Sequence, residues 1–151
     1  MQAVELGHAV FYVRNLEASL RFYRDTLGFK VIGGAFGGKA AALVGGAHRT
    51  HHELLLIEVG DLPGPAPRRR GLYHIGIKIG ESKAELKAAI ADLRKAGVTV
   101  DGASDHTVSW SLYLHDPDGN EVELYCDNPG VDWRKNPELA MAPIKALDLG
   151  P

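Results

Sequence analysis

Hydrophobic and polar positions in the first sixty residues follow two periods, one typical of strands and one typical of a helix. Residues 4–13 are rich in β-branched and aromatic side chains, which favours a strand. Asn15 is a good helix N-cap, and Gly28 is a good helix end. The helix between them has an apolar face made of Leu16, Leu20, Tyr23 and Leu27. Three short strands are expected to follow, at residues 29–32, 40–44 and 51–59, with glycine pairs marking the turns.

The same order of elements returns in the second half of the chain. Residues 72–79 predict a strand, and Ser82 with Glu85 predicts a capping box at the start of a helix. The apolar face of this helix is made of Leu86, Ile90 and Leu93, and Gly97 ends it. Three more strands are expected, at residues 98–100, 108–115 and 120–125. The sequence Asp-Pro-Asp-Gly predicts a tight turn between the last two.

Each half therefore has one strand, one helix and three further strands, with equivalent positions about 66 to 70 residues apart. The predicted fold class is α+β, with two βαβββ modules that form a shared concave, barrel-like metal site. A sheet covered by a single helix has one uncovered face, where polar residues can lie without disturbing the core. The predicted domain organisation is a first module at residues 1–60, a proline-rich linker at 61–71 and a second module at 72–127. A tail at residues 128–151 follows, with one helical turn near residues 137–141.

Composition narrows the possible partners and compartments. The 151-residue chain is 45% hydrophobic and 24% charged, which is ordinary for a globular protein. Its net charge of -2 gives no electrostatic reason to expect binding to nucleic acid or to an acidic membrane. The basic run Arg68-Arg69-Arg70 lies among prolines and glycines and is interpreted as a solvated linker. One cysteine, Cys126, excludes an internal disulfide. Without a signal-peptide pattern or a long apolar run, the predicted location is cytoplasmic.

Two histidines lie inside apolar strand segments at equivalent places in the two halves. A single histidine such as His8 or His74 is more often a hydrogen-bonded core residue than a ligand. Two at equivalent positions instead predict one site on the pseudo-two-fold axis. Glu123 alternates with apolar neighbours, so it lies on the polar face of its strand, either solvated or bound to a cation. Two imidazoles and one carboxylate suit Fe(II) or Mn(II) and leave coordination positions open.

A second group of polar residues is expected near these three. His51, His52 and Glu53 open the predicted fourth strand, and His106 and Tyr113 flank the seventh. Each has an ordinary alternative interpretation, as a turn residue, a solvated loop residue or a half-buried aromatic. Histidine titrates near neutrality and suits proton transfer, and a tyrosine hydroxyl can donate a hydrogen bond to a metal-bound oxygen.

Three motifs, together spanning nearly the whole chain, carry a family resemblance. They are Gly7-His8 with the helix at residues 16–28, the stretch Tyr73-His74-Ile75-Gly76, and the segment from Leu114 through Asp116-Pro117-Asp118-Gly119-Asn120 to Leu124. The sequence resembles the vicinal oxygen chelate superfamily, which includes glyoxalase I, bleomycin resistance proteins and extradiol dioxygenases. Proteins of this family are pairs of βαβββ modules.

Within the superfamily the sequence looks most like single-domain, catechol-2,3-dioxygenase-like members. The motifs are His51-His52-Glu53-Leu54, Asp105-His106-Thr107-Val108-Ser109 followed by Tyr113, and the tail Val131-Asp132-Trp133-Arg134. The resemblance implies a ring-cleaving dioxygenase that uses an aromatic substrate and O2. It implies a divalent metal, Fe(II) or Mn(II), bound by His8, His74 and Glu123. Catalytic roles fall to His52, His106 and Tyr113, and a homodimer is expected.

Two alternatives stay open at this point. A glyoxalase I-type lyase would bind Ni, Zn or Co through a fourth ligand, for which Glu53 is the candidate because its offset to Glu123 mirrors that of the two histidines. His52 and Glu53 alternate along a strand, so only one of them faces the site. A bleomycin-type binding protein would sequester a small molecule without any metal.

Overall fold

A computed structural model describes residues 2–66 and 70–149. The chain divides after Ala66 into two compact units. Of the basic run, Arg68 and Arg69 lie outside the described residues, as does part of the predicted linker, and Arg70 is exposed. In the described part of the chain no helix has both the length and the apolar character needed to cross a membrane.

The first unit is a four-stranded sheet with one longer helical segment and a short 3-10 helix at Phe36–Gly38. Its elements are β1 (Ala9–Val13), α1 (Leu16–Leu20), which continues as a π-helical segment (Arg21–Thr26), β2 (Lys30–Ala35), β3 (Ala40–Val44) and β4 (Leu54–Glu58). The strand order is β1-β4-β3-β2, with β1 parallel to β4 and the other pairs antiparallel. This is the predicted βαβββ order.

Local chemistry explains where the helical segment of the first unit starts and stops. The Asn15 side chain accepts a hydrogen bond from Ala18 N at 2.8 Å, so it caps the helix as predicted. Gly28 has φ +79°, the left-handed conformation that ends a helix at little steric cost. The buried ring of Tyr23 belongs to the core of this unit, together with Val13, Leu43 and Leu56.

The second unit repeats this order and adds one strand. Its elements are β5 (His74–Gly80), α2 (Lys83–Lys95), β6 (Gly102–Asp105), β7 (Ser109–His115), β8 (Glu121–Asp127) and β9 (Lys145–Ala146). The strand order is β5-β8-β7-β6-β9, and only β5 with β8 is a parallel pair. The tail contains a 3-10 helix at Pro137–Met141, which confirms the predicted helical turn. The α+β fold class is confirmed, and both sheets are open.

One predicted strand is wrong throughout, and others are wrong at one end, including the second, which runs over Lys30–Ala35 rather than residues 29–32. Residues 98–100 are not a strand, although two of them are valines; the strand is β6, with the poor strand formers Gly-Ala-Ser-Asp. Pairing with β7 on one side and β9 on the other decides its place. The first strand starts at Ala9 rather than residue 4, and the fourth at Leu54 rather than residue 51, because the parallel ladder between these two strands begins with Ala9 opposite Leu54.

Each sheet has one face in the core and a second face that is less buried. On β8 the side chains of Val122, Leu124 and Cys126 are buried, whereas Glu121 and Glu123 on the other face are half-buried. On β1, Phe11 and Val13 are buried, whereas Val10 and Tyr12 are exposed. This alternation follows from the two-residue repeat of a strand. It leaves a sheet face available for polar side chains in each unit.

The capping box at the start of α2 gives a stability prediction. The Ser82 hydroxyl accepts from Glu85 N at 3.2 Å, and the Glu85 carboxylate accepts from Glu81 N at 2.9 Å. Ser82→Ala is expected to lower the free energy of unfolding by about 1 kcal/mol, measured by urea denaturation. Ser82→Thr keeps both the acceptor and the hydroxyl that donates to Glu85 Oε2 at 2.7 Å, and it should stay close to the wild type. An unchanged urea midpoint in Ser82→Ala would contradict the cap.

Candidate functional site

The half-buried face of the second sheet brings together a histidine and a carboxylate. His74 is the first residue of β5, and Glu123 lies on the adjacent strand β8, opposite Gly76. His74 Nε2 lies 3.3 Å from Glu123 Oε2. A Cβ at Gly76 would lie 3.5 Å from the same carboxylate oxygen, in ordinary van der Waals contact, so Glu123 packs directly against the backbone of β5. The structure therefore brings two of the three predicted ligands together.

The spacing of these two donor atoms fits a common divalent ion. Ligand atoms each about 2.1 Å from one ion are separated by roughly 3.0–3.4 Å at octahedral to tetrahedral angles. The observed separation of 3.3 Å between His74 Nε2 and Glu123 Oε2 lies in this range. Imidazole nitrogen and carboxylate oxygen are also the donors that Fe(II) and Mn(II) accept. The residues present fit a metal ion on grounds of both distance and chemistry.

Tyr113 and His106 extend this group along the same sheet face. Tyr113 lies opposite Glu123 in the antiparallel pair β7 and β8, and its hydroxyl donates to Glu123 Oε1 at 3.3 Å. His106 Nε2 lies 2.6 Å from the same hydroxyl. The pKa of Tyr113 is raised to about 12, because burial and then the Glu123 carboxylate disfavour the phenolate. Tyr113 is therefore a protonated hydrogen-bond donor at neutral pH.

A strained turn fixes the position of His106. Val108 N donates to His106 O at 2.8 Å, which closes a three-residue turn around Thr107 at φ +71°. This left-handed region is rare for a β-branched residue and is held by its surroundings. Asn128 Nδ2 donates to Thr107 O at 2.9 Å. The side chain of Asn128 thus ties the end of β8 to the turn that carries His106.

In the first unit, three histidines gather just before β1 and β4. The ring of His52 lies 4.4 Å from that of His8, and its Nδ1 lies 2.6 Å from His51 Nδ1. His52 Nε2 is buried and has no hydrogen-bond partner among the described residues. The pKa of His52 is lowered, first by burial and then by the charges of His8 and His51. His52 is consequently a neutral base at pH 7.

Glu53 lies beside His52 in sequence but turns to different partners. One of its carboxylate oxygens accepts a hydrogen bond from Gly45 N at 2.5 Å, and the other lies 3.4 Å from Arg49 Nε. These contacts close the turn between β3 and β4. Of the two candidates, His52 is the one that contacts His8.

The register of the two parallel strand pairs identifies the counterpart of Glu123. In the second unit, Glu123 lies opposite the second residue after His74. In the first unit, Leu55 lies opposite the second residue after His8. Because His8 and His74 are equivalent, the counterpart of Glu123 is Leu55. The prediction that Glu53 mirrors Glu123 is therefore wrong, and an apolar residue occupies the place of a second carboxylate.

The predicted site residues thus occur in two groups, one in each unit. His74, Glu123, Tyr113 and His106 form the group in the second unit, and His8 with His52 belongs to the first. Nowhere in residues 2–66 and 70–149 do three or more His, Cys, Asp or Glu side chains form a cluster that could hold an ion. A three-ligand centre made of His8, His74 and Glu123 stays a prediction.

Sequence reasoning missed the contact of Glu121 with His74. Glu121 Oε1 lies 3.3 Å from His74 Nδ1, on the side of the ring away from Glu123. The signal was present, since Glu121 and Glu123 are two residues apart and share a strand face. The sequence alone does not reveal the register between β5 and β8, and this register places His74 opposite Glu121.

The fold and these groups define a class of proteins: α+β chains of two βαβββ modules with imidazole and carboxylate donors on the open sheet faces. A family described as the Glyoxalase/Bleomycin resistance protein/Dioxygenase superfamily matches residues 5–124. The chain belongs to this superfamily.

Curated relatives agree with this assignment. The chain is 38% identical over 135 residues to a catechol-2,3-dioxygenase of Bacillus subtilis (strain 168), covering 88% of the chain and 45% of that protein. It is 30% identical over 141 residues to an iron-dependent extradiol dioxygenase of Rhodococcus jostii (strain RHA1), covering 84% and 44%. The chain thus spans less than half the length of either relative.

A solved glyoxylase/bleomycin resistance protein/dioxygenase domain from Frankia sp. EAN1pec has the same fold. It superposes with a TM-score of 0.70 at 23% identity, over 84% of this chain and 100% of that one.

Proposed function

We propose that this chain is a metal-dependent extradiol-type dioxygenase that cleaves a catechol-like aromatic ring at a centre formed by His8, His74 and Glu123. The observation that carries the proposal is the 3.3 Å spacing of His74 Nε2 and Glu123 Oε2, with the Tyr113 hydroxyl directly behind the carboxylate. The likeness to proteins named as catechol and extradiol dioxygenases supports this reaction. The proposal requires His8 of the first unit to reach the same ion.

The proposed reaction balances without an external reductant. Fe(II) or Mn(II), when bound, supplies charge neutralisation and a common template for the vicinal diol and dioxygen. Both oxygen atoms of O2 enter the product, and the ring bond that breaks is a carbon–carbon bond beside the diol. The four electrons that reduce O2 come from the substrate. The protein residues have to bind and orient the diol and to move its protons.

His52 is the base that takes a proton from a substrate hydroxyl in this proposal. Its Nε2 is buried and has no partner among the described residues, and in the tautomer that donates its Nδ1–H to His51 the lone pair on Nε2 is free to accept a proton. Burial and the neighbouring imidazoles lower the pKa of His52, which keeps the ring neutral and able to act as a base. Contact of its ring with His8 puts this base next to a proposed ligand.

Tyr113 and His106 hold a proton beside Glu123 in the second unit. The raised pKa of Tyr113 keeps its hydroxyl protonated, and that hydroxyl donates to Glu123 Oε1. His106 Nε2, 2.6 Å from the Tyr113 oxygen, orients the hydroxyl and can replace its proton. Together they provide a hydrogen-bond donor that stabilises the negative charge developing on a substrate oxygen.

The decisive experiment is oxygen consumption by the reconstituted protein. Purified chain loaded with Fe(II) or Mn(II) without air, then mixed with a panel of catechols and exposed to air, is expected to give yellow ring-fission products. O2 uptake should match product one to one. Isomeric 1,3-diols are the control, since their hydroxyls cannot both reach one ion. If the metal binds and no catechol consumes O2, the proposal fails.

Glu53→Gln tests the lyase alternative. Because the Glu53 carboxylate binds Gly45 N and Arg49, the change is expected to leave metal affinity within about twofold and to loosen the turn between β3 and β4. Isothermal titration with Mn(II) and with Ni(II) measures the affinity. Arg49→Gln, which removes the ionic partner of the same carboxylate, is the matched control. A loss of metal binding in Glu53→Gln alone would favour the four-ligand lyase.

Metal content separates the enzyme from a small-molecule binding protein. Protein purified without added metal and analysed by mass spectrometry is expected to contain one equivalent of a divalent ion or to take one up from Fe(II) or Mn(II). Protein that neither contains nor binds such an ion would favour the binding protein. The homodimer and the cytoplasmic location stay predictions.

A further inference from the structure

The ring of His74 lies between two carboxylates of strand β8. Its Nε2 is 3.3 Å from Glu123 Oε2, and its Nδ1 is 3.3 Å from Glu121 Oε1. We propose that Glu121 is a positioning residue that accepts the Nδ1–H of His74 and thereby directs the Nε2 lone pair towards the proposed metal centre. The consequence for metal binding rests on the proposed function, whereas the effect on the His74 tautomer does not.

Backbone pairing places Glu121 beside His74. The two residues lie directly opposite each other in the parallel pair β5 and β8, and Glu123 follows on the same face. The exposed fractions are 28% for the side chain of His74, 19% for Glu121 and 16% for Glu123. Partial burial limits the competition of water for the contact between Glu121 and His74.

The tautomer of a neutral imidazole is set by the partners of its two nitrogens. The ring has one N–H and one lone pair, and a carboxylate can only accept a hydrogen bond. Glu121 and Glu123 therefore compete for the single proton of His74. When Glu121 holds it at Nδ1, Nε2 is free to bind a cation. Without Glu121 the proton goes to Nε2, where it blocks the position a metal ligand needs.

The carboxylate of Glu121 is itself held by a neighbour. A hydrogen bond to Glu121 is the main reason why the pKa of the exposed Tyr73 phenol is raised. The ring of Tyr73 lies 4.6 Å from that of His74. Tyr73 therefore contacts both members of the pair.

Nuclear magnetic resonance of the full metal-free chain tests the tautomer directly. In protein labelled with 15N-histidine at pH 9, where ordinary imidazoles are neutral, long-range correlation spectra report which nitrogen carries the proton. His74→Gln identifies the His74 signal by its disappearance. The fraction of Nδ1–H at His74 is expected to fall in Glu121→Ala and to be largely kept in Glu121→Gln, whose amide oxygen still accepts. An identical fraction in Glu121→Ala would overturn the proposal.

Metal titration provides the second measurement. Removal of a carboxylate behind a ligating histidine typically weakens metal binding about 10–100-fold, so this loss is expected for Glu121→Ala with Mn(II) or Zn(II), with a smaller loss for Glu121→Gln. Unchanged affinity in Glu121→Ala would also overturn the proposal. Failure of the wild-type chain to bind either ion would refute the proposed function, and the tautomer measurement would then decide the role of Glu121 alone.

A second carboxylate–histidine pair in the same unit supplies the matched control. Asp101 Oδ2 lies 2.7 Å from His115 Nδ1, at the exposed end of β7. Asp101→Ala should change the tautomer of His115 and leave the His74 signal and the metal affinity as in the wild type. A fall in metal affinity in Asp101→Ala as large as that in Glu121→Ala would mean that loss of any surface carboxylate has this effect, and the positioning role would be refuted.

Discussion

Glu123→Gln is expected to reduce affinity for Fe(II) and Mn(II) by roughly 100-fold or more and to abolish ring cleavage. Loss of a group behind a ligand already costs about 10–100-fold, and an amide is a weaker, neutral donor than the carboxylate it replaces. In the wild type the Tyr113 hydroxyl donates to Glu123 Oε1 at 3.3 Å. The amide oxygen of the glutamine can accept the same hydrogen bond, so the fold should be kept. Calorimetric titration with Mn(II) measures the affinity, and circular dichroism checks the fold.

A second carboxylate on the same face of β8 provides the control for this change. Asp127 lies four residues further along the strand and pairs with Lys78 Nζ at 2.7 Å, away from His74. Asp127→Asn should keep the metal affinity and the ring cleavage of the wild type. Equal losses in the two variants, or a Glu123→Gln protein that binds Mn(II) as the wild type does, would exclude Glu123 as a ligand.

His52→Ala is expected to lower kcat for a catechol by about 10²–10⁴-fold, the range that a positioned acid–base group contributes. Metal affinity should change much less, since His52 contacts His8 through its ring and is not a proposed ligand. A large fall in kcat with little change in metal affinity is the result expected for loss of a proton-transfer residue. Steady-state oxygen uptake at saturating substrate, compared with Mn(II) titration of the same variant, measures both.

The two neighbouring histidines make this test specific. His51 lies against His52, so His51→Ala is expected to lower kcat by a smaller factor, because the base itself is kept. His48→Ala, at an exposed position in the preceding turn, should have the activity of the wild type. If His51→Ala loses more activity than His52→Ala, the assignment of the base is wrong.

The helix boundaries illustrate what could be predicted from local chemistry. Asn15 and Ser82 cap the two helical segments as predicted, and Gly28 and Gly97 follow their ends with positive φ. These features depend on hydrogen bonds and steric preferences within four or five neighbouring residues, which the sequence states directly.

The edge of the second sheet illustrates the opposite case. Strand β6, of sequence Gly-Ala-Ser-Asp, has little intrinsic tendency to be extended, and the valines that precede it are not in a strand. Hydrogen bonds to β7 and to the tail strand β9 hold it in place. Partners about ten and forty residues away cannot be found from local propensity, because strand preference is largely a property of packing and pairing.

By itself, the sequence determined that this protein has two equivalent βαβββ halves, which residues begin and end the helices, and which side chains are candidates for metal and proton chemistry. Only the tertiary structure decided the register of the parallel strand pairs. In the first unit, the register makes Leu55 the counterpart of Glu123, and the Glu53 carboxylate binds the turn between β3 and β4. In the second unit, the register places Glu121 opposite His74. The physical reason is that strand side chains alternate, so a shift of one residue moves a carboxylate to the other face of the sheet, and nothing local fixes that shift.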